Sequence, residues 1–181
     1  NHYIPGAEAS RLSHGSGRLE WLRTIDVIER VLPPPPAVVL DVGGGPGAYA
    51  LPLARRGYRT HLIDLIPLHV TEASEAASQQ PDRPLASATV GDARQLSFED
   101  ASADAVLLLG PLYHLTETSD RMQALSEAHR VLRPGGVLVA AAISRYASMC
   151  DGLLQGYLND PAFEAIVERD LSEGQHRNEM E

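Results

Sequence analysis

Apolar residues recur along this chain at two alternating periods. Between residues 18 and 32 they fall at Leu19, Leu22, Ile25, Ile28 and Leu32. Spacings of three and four predict an amphipathic helix. Pro33 to Pro36 close that helix and make a stiff spacer. Short apolar runs of strand length follow at residues 38–42, 60–64, 86–90, 104–109 and 137–143. Helical stretches separate them: residues 47–56 with Gly57 as the stop, and residues 68–79. A third begins at Ser119, a plausible N-cap, and carries Met122, Leu125, His129 and Leu132 on its apolar face. Apolar strands alternating with helices predict an α/β fold built on a parallel sheet covered on both faces. After residue 143 the pattern gives a loop, a helix at 161–171 and a polar acidic tail.

The chemistry concentrates at the ends of the predicted strands. Val38-Val39-Leu40-Asp41-Val42 runs directly into Gly43-Gly44-Gly45-Pro46-Gly47. A turn without Cβ atoms lets a nucleotide-like ligand approach the backbone closely. The carboxylate of Asp41 would repel a phosphate and suits a positively charged ligand, which points to S-adenosylmethionine. In open sheets of this kind ligands lie outside the carboxyl ends of the strands. Asp41, Asp64, Asp92 and Gly110 all fall at or just after such ends, so one rim should gather them.

Asp41-x-Gly43-x-Gly45-x-Gly47 resembles the first motif of the class I S-adenosylmethionine-dependent methyltransferases, of the small-molecule, type 11-like kind. Further landmarks come in that family's order. Thr60-His61-Leu62-Ile63-Asp64, Ala88-Thr89-Val90-Gly91-Asp92-Ala93 and Asp104 to His114 are similar to its second, third and fourth strands. Leu132-Arg133-Pro134-Gly135-Gly136 is similar to its turn into strand five. The resemblance implies a Rossmann-like, doubly wound sheet over residues 37–143, preceded by an arm and helix at 1–36. Residues 144–181 would then be a substrate lid. It also implies a cofactor site made of Asp41, Gly43, Gly45, Asp64, Leu65, Asp92, Ala93, Leu109 and Gly110. In that site Asp41 orients the methionine end, Asp64 holds the ribose hydroxyls and Asp92 meets the adenine amino group. Tyr113 and His114 would stand beside the transferred methyl group, His114 being able to act as a base at neutral pH. Tyr3, Arg11 and Glu20-Trp21 lie on segments that fold over the cofactor in relatives.

Composition narrows the target. The 181 residues carry a net charge of −9, which argues against a nucleic-acid surface and favours a small-molecule acceptor. All 15 basic residues are arginine, so there is neither a Walker-type lysine nor a Schiff-base lysine. One cysteine, Cys150, excludes an internal disulfide and fits a reducing cytoplasm. The seven histidines show no metal-ligand spacing, so no metal site is expected. No apolar run approaches the ~20 residues that span a bilayer.

Two other readings compete with methyl transfer. Gly43-x-Gly45-x-x-Ala48 matches the loose dinucleotide fingerprint of an NAD(P)-dependent oxidoreductase. A catalytically silent S-adenosylmethionine-binding protein would share every landmark. Only five strands can be placed, whereas the family's sheet ends in an antiparallel hairpin beside strand five. Strand five is therefore expected to be an open apolar edge. Either the native chain continues beyond Glu181, or a second copy covers that edge as a homodimer.

Overall fold

The computed structural model describes residues 14–174. Helix α1 (Gly15–Val31) leads through the prolines into β1 (Val38–Val42), and α2 (Ala50–Arg55) returns to β2 (Arg59–Asp64). Then come α3 (Pro67–Ser78), β3 (Ser87–Val90), β4 (Ala103–Leu108), the short α4 (Pro111–His114), α5 (Thr118–Val131) and β5 (Leu132–Ala140). The chain ends in α6 (Ala147–Gln155), a 3-10 turn at Tyr157–Asn159 and α7 (Pro161–Glu173). The five strands form one sheet in the order β3-β2-β1-β4-β5, and every pairing is parallel.

Strand periodicity divides the core into two layers. Leu40, Val42, Val106 and Leu108 face α5, which meets them with Ala128 and Val131. Val39, Ala105 and Leu107 face the other way, toward Ile25 and Ile28 of α1, Leu32 just after it, and Leu53 of α2. Asp41, two residues from Val39, shares that second face.

The helices bury, fully or in part, most of the predicted stripes, Ile25, Ile28, Leu32, Leu125 and Leu132 among them, with some positions exchanged. On α1, Leu19 and Leu22 are exposed, and the packed row is Trp21, Ile25, Ile28 and Leu32. On α5, Met122 is exposed while Ala124, Ala128 and Val131 are fully buried. Alanines let the helix come close to the sheet, which the larger side chains would prevent. Helix α5 begins at Thr118 after Glu117, not after Ser119, and no side chain caps it.

Helix α2 starts three residues later than predicted, because Gly43, Gly45 and Gly47 all have positive φ and keep the backbone turning until Tyr49. Pro46 therefore belongs to the turn and not to the helix. Strand β5 starts earlier and stops earlier than predicted. Its register against β4 jumps from Leu132 opposite Ala103 to Val137 opposite Ala105, so Arg133 to Gly136 bulge out of the ladder. The segment predicted as a loop after residue 143 contains α6. Gly152 on α6 has no room for a Cβ, which would fall 2.5 Å from the Phe163 ring of α7, so the two helices pack closely. Among the described residues no sixth or seventh strand occurs, and β5 is an edge.

The irregular stretch between β3 and β4 is fastened by α5. Glu127 Oε2 accepts from the Leu96 amide at 2.8 Å, and Arg130 donates to the carbonyls of Leu96 and Phe98 at 2.9 and 2.8 Å. These bonds hold the stretch from Leu96 to Phe98 against α5.

Candidate active site

The glycine turn hangs from the neighbouring strand. The amides of Gly43 and Gly44 both donate to the Ile63 carbonyl of β2, at 2.7 and 3.3 Å. From behind, the Trp21 indole N–H donates to the Ala48 carbonyl at 2.9 Å. A cleft opens between this turn and the end of β4. It is lined by Asp41, Gly43, Gly44, Gly45, Pro46, Ala48, Tyr49, Leu109, Gly110 and Tyr113. A wider groove between α3 and β3, lined by Ser74, Ala77, Pro81 and Leu85 among others, lies away from the strand ends and carries no titratable group.

Asp41 is the group in the cleft with the most unusual surroundings. It is only 1% exposed, and among the described residues its Oδ2 has no hydrogen-bond partner. Burial pushes its carboxyl up to about 7; the Ala50 amide works against this and the negative charge of Asp64 adds to it. Gly44 must be glycine here, since a Cβ would stand 2.8 Å from that carboxylate. A buried, unsatisfied anion costs free energy unless a donor or a cation reaches it. The donor set therefore fits a cationic ligand entering along the glycine turn.

Asp64, at the end of β2, is buried and does not stand on the open rim. Its Oδ2 accepts from the Gly45 amide at 2.8 Å, and its Oδ1 accepts from the Ile66 amide at 2.9 Å and faces His69 Nδ1 at 3.1 Å. A carboxylate has about four acceptor directions. Three are filled from within the chain, which leaves one for a hydroxyl where a bidentate grip needs two. Leu65 beside it is exposed.

Asp92 is turned onto Arg94. The guanidinium and the Arg94 amide bond both carboxylate oxygens at 2.7–3.2 Å, and Arg94 also reaches Asp120 on α5 at 2.8 Å. Hydrogen bonding from Arg94 holds the Asp92 carboxyl below its ordinary range.

Of the sequence-selected residues, Asp41, Gly43, Gly45, Leu109 and Gly110 meet in the cleft together with Tyr113. Leu65, Asp92 and Ala93 follow at the ends of β2 and β3, with Asp64 buried behind them. His114 is exposed next to Tyr113, their rings 4.9 Å apart and tilted by 50°. Tyr49 and His69 were not singled out from the sequence. His69 was detectable, because it repeats at four-residue spacing with Ala73 and Ala77, the buried stripe of α3. Tyr3 and Arg11 lie outside the described residues. Among the described residues no group of three metal-ligating side chains occurs, and no helix is long and apolar enough to cross a membrane.

A parallel sheet in this order, with a glycine turn over a buried acid at its centre, defines a Rossmann-like cofactor-binding enzyme fold. The methyltransferase-domain family matches residues 40–140, and the chain belongs to that family. The ubiquinone/menaquinone biosynthesis C-methyltransferase of Caulobacter sp. (strain K31) is 33% identical over 138 residues, covering 72% of this chain and 53% of that protein. The chain spans about half the length of the curated relatives it matches. An S-adenosylmethionine-dependent methyltransferase structure from Methanosarcina mazei superposes with a TM-score of 0.61 at 27% identity, covering 76% of this chain and 66% of that one. A methyltransferase from Aquifex aeolicus, at 20% identity, shares the fold with a TM-score of 0.65 over 87% of both chains. S-adenosyl-L-methionine is the cofactor of this family.

Proposed function

We propose that this chain is a methyltransferase acting on a small-molecule acceptor. The observation that carries the reading is Asp41, a buried carboxylate with an oxygen unpartnered among the described residues, at the base of a glycine-lined cleft. When bound, S-adenosylmethionine supplies a sulfonium-borne methyl group that an acceptor displaces in line. Asp41 pairs with the cationic methionine end, the Gly43–Gly45 backbone lets the ligand lie close, and Asp64 receives a ribose hydroxyl. Asp92, with Ala93 beside it, meets the adenine once Arg94 shares its carboxylate. Leu65, Leu109 and Gly110 complete the walls. Most of the rate then comes from holding the two reactants in line.

Tyr113 borders the cleft where the acceptor would enter. His114 beside it takes the proton when the acceptor is a hydroxyl or an ammonium group. Helices α6 and α7 and the 3-10 turn between them follow β5 and expose Leu153, Leu154 and Tyr157, which suits a lid over an apolar acceptor. The free edge of β5 pairs with a further strand, from a longer form of the chain or from a second copy. Size-exclusion mass measured against the mass of the single chain separates these two.

Calorimetry with S-adenosylmethionine, S-adenosylhomocysteine and NAD tests the cofactor. Binding of NAD with no binding of either sulfur compound would restore the oxidoreductase reading. A turnover screen that includes quinone precursors, after the ubiquinone/menaquinone biosynthesis named for the Caulobacter relative, tests methyl transfer. Binding without turnover on any acceptor would favour the silent cofactor-binding protein.

A further inference from the structure

Two of the three N–H groups on Asp64 are backbone amides, supplied by the glycine turn and by the entry to α3. The third is the imidazole of His69, from the first turn of α3. We propose that His69 is a positioning residue for cofactor recognition: its Nδ1–H fixes the Asp64 carboxylate so that the remaining acceptor direction faces a ribose hydroxyl. The inference rests on the reading above that Asp64 holds the ribose.

The proton can be placed from the contacts. Both Asp64 oxygens accept from backbone amides, so the carboxylate acts as an acceptor on each, and the facing imidazole nitrogen must be the one that donates. The ring is 4% exposed and sits between the sheet and α3, so bulk water does not compete for this bond. Asp41 lies near enough for its charge and that of Asp64 to oppose one another. A buried carboxylate beside a second one needs donors to stay ionised and in one rotamer. His69 provides this from a side chain, where the Gly45 and Ile66 amides are fixed by the backbone. Without it, Oδ1 keeps only the Ile66 amide, and the carboxylate can rotate its open direction away from the ligand.

The test is calorimetry on the intact chain with two probes, S-adenosylhomocysteine and its 2′,3′-dideoxy analogue, which lacks the ribose hydroxyls. The native chain should prefer the parent by about tenfold or more, the scale of a hydrogen bond to a charged group. His69→Leu should reduce that preference to within about threefold. His69→Asn, whose amide N–H can stand where Nδ1 stands, should keep most of it. Asp64→Ala serves as the control. If Asp64→Ala retains the native preference, the ribose reading fails and this inference with it. If Asp64→Ala loses the preference and His69→Leu keeps it, only the role of His69 is overturned. A drop in affinity for both probes by the same factor in His69→Leu would show a merely structural histidine and also overturn it. Should His69→Leu fail to fold, His69→Asn is set against His69→Gln, whose amide reaches the Nε2 position instead. Preference kept by Asn and lost by Gln supports the inference, and equal preference in the two overturns it.

Discussion

A Cβ on Gly43 would stand 2.6 Å from Cδ of Pro111, so the turn after β1 and the short helix after β4 are packed one against the other. Gly43 also has φ of +71°, a conformation that costs an L-residue roughly 1–2 kcal/mol. Gly43→Ala should therefore lose at least ~2 kcal/mol of stability and most cofactor affinity, because the clash displaces the helix that carries Tyr113. Gly135 has φ of +81° but open space around it. Gly135→Ala should lose only ~1 kcal/mol and leave binding intact. Urea denaturation and titration with S-adenosylhomocysteine check both variants.

The raised carboxyl of Asp41 makes stability depend on pH. Unfolded, the group loses its proton near 3.8; folded, it does so at about 7. Between those values the folded chain holds the extra proton, so this contribution is full below pH 4 and is lost as pH rises through 7. Asp41→Asn should remove that slope and make the chain more stable above pH 7, by at most ~4 kcal/mol. The same variant should bind S-adenosylmethionine far more weakly. In the native chain, affinity should rise with pH across 7 as Asp41 ionises to meet the cation, with release of a proton. Calorimetry in buffers of different ionisation enthalpy would detect that proton, and constant affinity from pH 6 to 8 would contradict it.

Arg130 holds two carbonyls and Glu127 at once, and hydrogen bonding from Arg130 keeps the Glu127 carboxyl below its ordinary range. Arg130→Met keeps much of the apolar stem but releases the Leu96 and Phe98 carbonyls. A loss of about 1–3 kcal/mol is expected. Hydrogen exchange should quicken first between residues 95 and 102, ahead of the sheet.

Trp21→Phe should keep most of the packing of α1 on the sheet and lose the bond to Ala48. A stability loss near 1 kcal/mol is expected, together with a larger relative loss in cofactor affinity, since the turn is what that bond supports. Equal binding by Trp21→Phe and the native chain would show that the turn stands without this tether.

The strands were readable because a buried parallel strand is an apolar run, and the runs at 38–42 and 104–109 need no context to be recognised. The glycine turn and the acids at the strand ends were readable for a similar reason, since their spacing is local. What escaped was decided by partners distant in sequence. Met122 looks like the inner face of α5 until the close approach to the sheet selects Ala124 and Ala128. Asp92 reads as a free carboxylate until Arg94 and Asp120 are seen around it. The start of α2 depended on positive φ angles at three alternate residues, which glycine permits and does not impose.

Trp21 is the single tryptophan of the chain. Its ring is half-buried, capped by the Arg18 guanidinium at 4.6 Å and tied by its N–H to the end of the glycine turn. Its emission therefore arises from one site that senses both a nearby cation and the placement of one carbonyl. The chain carries a built-in optical gauge, and movement of the turn when a ligand enters should be visible as a shift in intrinsic fluorescence without any label.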